Sequence, residues 1–258
     1  MKKTRKKRKI CVVTGSRAEY GQLRPVMQAI VKNPKLDLAV VAAGMHFSPA
    51  FGLTFREIIK DSFRIDAKVK MTPFKDTAEA MAISVGEGTI GMAKAFKMIK
   101  PDVVLVLGDR VEALAAAIAA AYSNIAIAHI AGGDKTKAGL DESARHAITK
   151  LAHIHFTTTE KSARRVIKMG ENPEQVFVSG SPSLDTILNN KIFLSPREVE
   201  GRYGLDLSRP FLLVIQHPVT SQAEEAASQI TKTLNAVKRF QYQTIIIYPN
   251  SDAGGRSM

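Results

Sequence analysis

Four carboxylates, Asp109, Asp134, Asp141 and Glu142, fall in one short stretch of this 258-residue chain, each beside an apolar run or at the start of a helical pattern. Carboxylates gathered in a cleft partly closed to water raise one another's pKa, so one can accept a proton while another donates one. Asp109 and Arg110 follow the run VVLVLG (103–108), which sets a carboxylate beside a guanidinium. Asp134 closes HIAGGD (129–134), whose paired glycines let backbone approach a ligand. Asp141 and Glu142 open the next helical stretch. Taken singly, Asp141 also reads as a helix N-cap and Asp134 as a turn residue. Together with Asp109 they suggest acid/base work.

The cationic candidates point to an anion. In TGSRAEYG (14–21), Gly15 permits a tight turn, the helix start behind it offers amide groups, and Arg17 adds a fixed charge, which favours a phosphate or diphosphate. A plain strand-to-helix turn would also explain Gly15. The segment is neither GxGxxG nor GxxxxGK[ST], so nicotinamide and P-loop readings lose their main support. His46, in AAGMHFSPAFG (42–52), follows a second strand and either touches substrate or packs. His217, in VIQHPVT (214–220), follows the first strand of a second domain and would face an interdomain cleft, where a diphosphate needs a donor. His146, His153 and His155 span a helix and a strand with no cysteine or close carboxylate to complete a metal site, so they read as packing residues. Nothing in the sequence calls for a metal or an organic cofactor.

Ligands of open α/β sheets bind beyond the carboxyl ends of the strands, so the elements must bring these residues to one edge. ICVVT (10–14) precedes Leu23, Val26, Met27, Ile30 and Val31 at helical spacing. The alternation continues through strand 36–44, a helix near 76–99, strand 103–108, a helix near 111–122 and strand 125–130. It goes on through a helix near 141–151, strand 153–158, a helix near 160–169 and strand 176–180. Uniformly apolar strands separated by helices predict a doubly wound parallel sheet covered on both faces. The domain expected is 10–182, followed by a crossover, strand 211–215, a helix near 221–239 and strand 244–248. Those last elements start a second Rossmann-like unit, 183–258, too small to bury its own core.

Composition bounds the class: 45% of residues are apolar and 24% charged, the balance of an ordinary globular protein. No apolar run reaches the roughly 18 residues of a membrane span, and the run behind the basic start is shorter than the roughly 7–15 of a signal-peptide core. The net charge of +13 is concentrated in residues 1–9, a basic arm expected to be solvated and flexible. No zinc-finger spacing, helix-turn-helix pattern or aromatic interleaving accompanies that arm, which speaks against nucleic acid as partner. Cys11 is the sole cysteine and lies in an apolar strand, which suits a reducing cytoplasm. A homo-oligomer is left open.

The motifs TGSRAEYG, GMHFSPAFG, LGDR, HIAGGD, DESARHAITKLAHIHF, GSPSLD, QHPVT and YPNSDAGGR, in this order, resemble those of the hydrolysing UDP-N-acetylglucosamine 2-epimerases. The resemblance implies the GT-B architecture, two Rossmann-like domains with a nucleotide sugar between them, of which the second would be incomplete here. It implies conversion of UDP-N-acetylglucosamine and water to N-acetylmannosamine and UDP, the entry to sialic-acid-type sugars. It also implies acid/base roles for Asp109 and Asp141, with Glu142 their neighbour, and UDP contacts for Arg17, Arg110, His217 and Asn250. Several relatives read HIEGGE where this chain reads HIAGGD, so Ala131 replaces a glutamate and Asp134 is one methylene shorter than its counterpart. The subfamily acting on UDP-diacetylbacillosamine is the alternative. The family's later serine and glutamate segment is not found before Met258, so a truncated nucleotide-sugar binder is a third reading. A GT-B glycosyltransferase would share fold and donor, but TGSRAEYG with HIAGGD argues against it.

Overall fold

The computed structural model describes residues 6–71, 77–136, 140–189, 194–249 and 253–258. The chain divides into two compact units, one of Met1–Pro73 with Ala82–Asn189, the other of Phe74–Met81 with Asn190–Met258.

The first unit is a parallel sheet of seven strands, β1 (Arg8–Thr14), β2 (Leu36–Ala43), β3 (Ala67–Val69), β4 (Val103–Leu107), β5 (Ala126–Ile130), β6 (Ile154–Thr157) and β7 (Val176–Val178). Their order is β3-β2-β1-β4-β5-β6-β7. Parallel strands need crossover connections, and the helices that make them cover both faces. These are α1 (Arg17–Lys32), α2 (Phe55–Lys60), α3 (Ala78–Ile99, in this unit from Ala82 onward), α4 (Val111–Tyr122), α5 (Asp141–Leu151) and α6 (Glu160–Lys168). Side chains of β1 alternate: Cys11 and Val13 enter one core with Met92, Phe96 and the alanines of α4, while Val12 enters the other with Leu23, Met27 and Ile30 of α1. Leu23, Met27 and Ile30 form the apolar stripe that seats α1 on the sheet. On α4 the alanines 113, 115–117, 119 and 120 are buried, and such small side chains let a helix approach a sheet closely.

Three expectations are corrected here. Arg8 and Lys9 belong to β1, in register with Leu36 and Asp37, and not to a solvated arm. The Lys9 amide donates to Asp102 Oδ2 at 2.7 Å and Arg8 pairs with Asp102 Oδ1 at 3.2 Å, so one carboxylate continues the strand. The chain after residue 182 forms α7 (Pro182–Asn189), which packs on α1, with the Thr186 hydroxyl donating to the Gly21 carbonyl at 2.7 Å. The helix expected over 221–239 is a 3-10 segment, Thr220–Glu225, followed by the α-helix Ala226–Lys238, because Gln222 has non-helical backbone (φ −130°, ψ 33°).

The second unit holds α8 (Pro196–Tyr203), β8 (Phe211–Ile215), α9 (Ala226–Lys238) and β9 (Gln243–Ile247). Strands β8 and β9 pair in parallel, so β8-α9-β9 is one complete βαβ unit. A capping box between Ser195 and Glu198 starts α8, and Gly204, in the left-handed region, ends it. Among the described residues, no helix is long and apolar enough to cross a membrane.

Candidate functional site

The sheet winds outward in both directions from β1 and β4, and the gap beyond their carboxyl ends is where an open α/β sheet takes a ligand. Two turns meet there. One is Gly15-Ser16-Arg17, leaving β1, and the other is Gly108-Asp109-Arg110, leaving β4.

The β1 turn is closed by its own side chains. Ser16 caps α1 by accepting the Glu19 amide at 3.3 Å, and Glu19 Oε2 accepts the Gly15 amide at 2.9 Å. Two of the amides that could meet an anion are thus engaged, while Arg17 stands exposed at the helix start. Glu112, in the first turn of α4, fills the space beside Gly15 and Gly44, where a Cβ at either glycine would overlap it. Arg110 Nε lies 3.3 Å from Glu112 Oε2, and Nη2 lies 3.4 Å from Met45 Sδ.

The β4 turn is organised by Arg145 of α5. Its Nη2 pairs with Asp109 Oδ2 and reaches Thr136 Oγ1 at 3.0 Å, while Nη1 donates to the Asp134 carbonyl at 2.8 Å. Asp109 and the HIAGGD loop are therefore brought together through one guanidinium. His129 on β5 supports the same turn: it is fully buried, with Nε2 2.7 Å from the Gly108 carbonyl and Nδ1 3.2 Å from Thr149 Oγ1. Burial pushes its pKa down to about 4, so the ring is neutral at pH 7. A carbonyl can only accept, which puts the proton on Nε2.

The remaining candidates differ in what surrounds them. The Asp134 carboxylate accepts from Thr158 Oγ1 at 2.5 Å and Ser162 Oγ at 2.6 Å, which ties it to the start of α6. Asp141 is the first helical residue of α5 with Leu140 at the cap, so the N-cap explanation is corrected; the residue is half-buried. Glu142 Oε1 lies 3.6 Å from His146 Nε2 on the next turn. His46 is fully buried, its Nε2 3.0 Å from Thr14 Oγ1 and its Nδ1 2.8 Å from Thr54 Oγ1, and burial lowers its pKa to about 4. With both ring nitrogens used, the surroundings favour packing over substrate contact. His217 belongs to the second unit, exposed, just past β8. Asn250 lies outside the described residues.

The other histidines have partners of their own: His153 Nδ1 accepts the Ile127 amide at 3.3 Å and His155 Nε2 lies 3.2 Å from Glu171 Oε2. Among the described residues, no group of three or more histidine, cysteine, aspartate or glutamate side chains could hold a metal. Ala131 adopts φ 63° and Gly133 φ 78°, so the loop after β5 doubles back through the left-handed region in front of Asp134. Glu19, Glu112, His129 and Arg145 were not among the residues the sequence singled out. Their available signals were the S-x-x-E spacing of a capping box at Ser16 and a histidine inside an apolar strand.

The profile of the UDP-N-acetylglucosamine 2-epimerase family matches residues 28–258. A UDP-N,N'-diacetylbacillosamine 2-epimerase (hydrolyzing) of Legionella pneumophila is 40% identical over 96% of this chain and 65% of its own length. A UDP-N-acetylglucosamine 2-epimerase of Neisseria meningitidis serogroup B is 32% identical over 97% of this chain and 65% of its own. The chain thus spans about 65% of the length of these curated relatives. Among solved structures, the UDP-GlcNAc 2-epimerase of Neisseria meningitidis bound to UDP-GlcNAc superposes with a TM-score of 0.79 at 20% identity, covering 96% of this chain and 67% of that one. The Methanocaldococcus jannaschii UDP-GlcNAc 2-epimerase in complex with UDP-GlcNAc and UDP gives 0.78 at 20% identity, with 96% and 67% covered. The fold is α/β and GT-B-like.

Proposed function

Because the chain belongs to the UDP-N-acetylglucosamine 2-epimerase family, we propose that it acts on a UDP-linked 2-acetamido sugar and releases the C2-epimeric free sugar and UDP, with water as co-substrate. The observation that supports this most directly is the Asp109 carboxylate, oriented by Arg145 at the switch point of the sheet and flanked by Arg110. The C2 hydrogen of such a sugar is not adjacent to a carbonyl, so its removal must accompany departure of the diphosphate from C1. Asp109 takes the C2 proton, the C2–H electron pair forms the C1–C2 double bond, and the C1–O bond breaks with its electrons going to UDP. A proton returns to the opposite face of C2 from Asp141 with Glu142 beside it, or from Asp134; water adds its hydroxyl to C1 and gives its proton to that carboxylate, while Asp109 releases the C2 proton to solvent. Arg17 and Arg110 meet the growing negative charge of UDP, and the family resemblance also implies UDP contacts for His217 and Asn250. The reaction needs no metal or organic cofactor and suits a cytoplasmic protein.

The test is proton NMR of the protein incubated with UDP-N-acetylglucosamine in deuterated water. Release of UDP and of N-acetylmannosamine carrying deuterium at C2, both lost in Asp109→Asn, is the expected result; intact substrate in the presence of folded protein overturns the reading. A second substrate, UDP-N,N'-diacetylbacillosamine, is favoured by the Legionella relative and by Ala131, and the same experiment with that sugar decides between the two. Binding of either without turnover would make the chain a nucleotide-sugar binder.

A further inference from the structure

The β1 turn conceals a second pair of acids that the proposed reaction does not use. Glu19 and Glu112 are 4% and 2% exposed, on the first turns of different helices, and both press on Gly15: Glu19 through its bond from the Gly15 amide, Glu112 by filling the space where a Gly15 side chain would be. Among the described residues, the charges that act most on Glu19 are those of Glu112 and then Arg110. His46 approaches from the turn after β2 through Thr14, but it is neutral, and Arg17 is exposed. Arg110 Nε, 3.3 Å from Glu112 Oε2, therefore offsets one of two negative charges in a space closed to water. Among the described residues no second cation pairs with Glu19, and the cheapest way to remove the second charge is to keep a proton.

We infer that Glu19 and Glu112 work as one unit that holds a single proton, and that they are positioning residues which set the Gly15 turn and Arg110 from beneath. Burial first, and the charge of Glu112 second, push the Glu19 pKa up to about 7. In the protonated state the turn carries one buried negative charge with Arg110 beside it; above neutrality it carries two, beneath the turn and next to the Arg110 guanidinium. The turn's affinity for a diphosphate then falls as pH rises. That consequence rests on the proposed function, whereas the shared proton does not.

The sign of the stability effect follows from the same geometry. Unfolded Glu19 titrates near its ordinary value of 4.5, so between about 4.5 and about 7 the folded chain binds a proton that the unfolded chain has released. Stability contributed by this group is complete below the lower value and is lost as pH rises through the upper one.

The wild-type chain, labelled with 13C at glutamate carboxyls and 15N at glycine, is titrated by NMR from about pH 5 to about pH 9. One glutamate carboxyl should ionise near neutrality, with the Gly15 amide moving at the same midpoint. Glu19→Gln should remove both transitions and flatten the fall of stability with pH. Glu112→Gln should leave the Glu19 transition but lower its midpoint. If no glutamate is still protonated at about pH 6, or if Glu112→Gln leaves the midpoint unchanged, the paired proton is overturned, and the wild-type titration decides this even if a variant fails to fold. Positioning is read from UDP-N-acetylglucosamine affinity, because its diphosphate carries constant charge across neutral pH. Weakening above neutrality in wild type and none in Glu19→Gln supports it, and equal pH dependence in both overturns it. A chain that binds no UDP-sugar would sink the proposed function while the carboxyl titration still judged the pair.

Discussion

Arg145 holds Asp109 and the loop after β5 in place, and in the proposed reaction no proton transfer passes through it. Its planar fork reaches three groups on two loops, the Asp109 carboxylate after β4 and the Asp134 carbonyl and Thr136 hydroxyl after β5. Lysine supplies the charge but not the fork, so Arg145→Lys should keep the fold and lower kcat at least about tenfold with a smaller change in KM, measured by steady-state release of UDP. Arg145→Met leaves Asp109 without its partner in a largely buried setting and should cost about 3 kcal/mol in urea unfolding. The places of the carboxylates, after an apolar strand or at the opening of a helix, were legible in the sequence. Arg145 was not, because an arginine in DESARHAITK has the pattern of a solvated helix face, and only the tertiary return of α5 over the β4 turn reveals its partners. His46 shows the converse: its position at the sheet edge suggested substrate, while Thr14 and Thr54, distant from each other in sequence, together occupy its ring nitrogens.

At the scale of elements, the same strand-helix alternation that located the site also fixed its boundaries where the apolar period is long. The α4 and α5 limits and the span of β8 match the expected ranges, since each is bounded by a glycine, aspartate or proline signal. What escaped was short or unpatterned: β3 has three residues with Lys68 in the middle, and α2 has six, too few to show a helical period. Glycines within the elements separate backbone need from habit. Gly133 has φ 78° and a Cβ there would overlap the Ser162 carbonyl, so Gly133→Ala should destabilise by more than about 2 kcal/mol. Gly86, inside α3 with nothing near its missing side chain, should gain about 0.5–1 kcal/mol as alanine. Both are read by chemical denaturation, and equal effects would refute the distinction.

Across the whole molecule, the two compact units differ in how well their strands are shielded. Val12, Val104 and Ile127 in the first unit are fully buried, whereas Phe211, Leu213 and Ile215 on β8 are about half exposed. Local opening should follow that difference: amides of β8 and β9 should exchange with deuterium orders of magnitude faster than those of β1, β4 and β5, as read by exchange mass spectrometry. Comparable protection in both sheets would contradict it.

Cys11 turns this inequality into something countable. It is the only cysteine of the chain, it sits fully buried on the interior strand β1, between β2 and β4, and burial, with Asp66 acting in the same direction, pushes its thiol pKa up to about 12. A thiol reagent can reach it only in molecules in which β1 has come away from its neighbours, and it reacts with no other residue in the same way. Labelling in excess reagent therefore keeps a tally of how often this buried strand opens, molecule by molecule, and stays silent to everything that happens in the second unit alone.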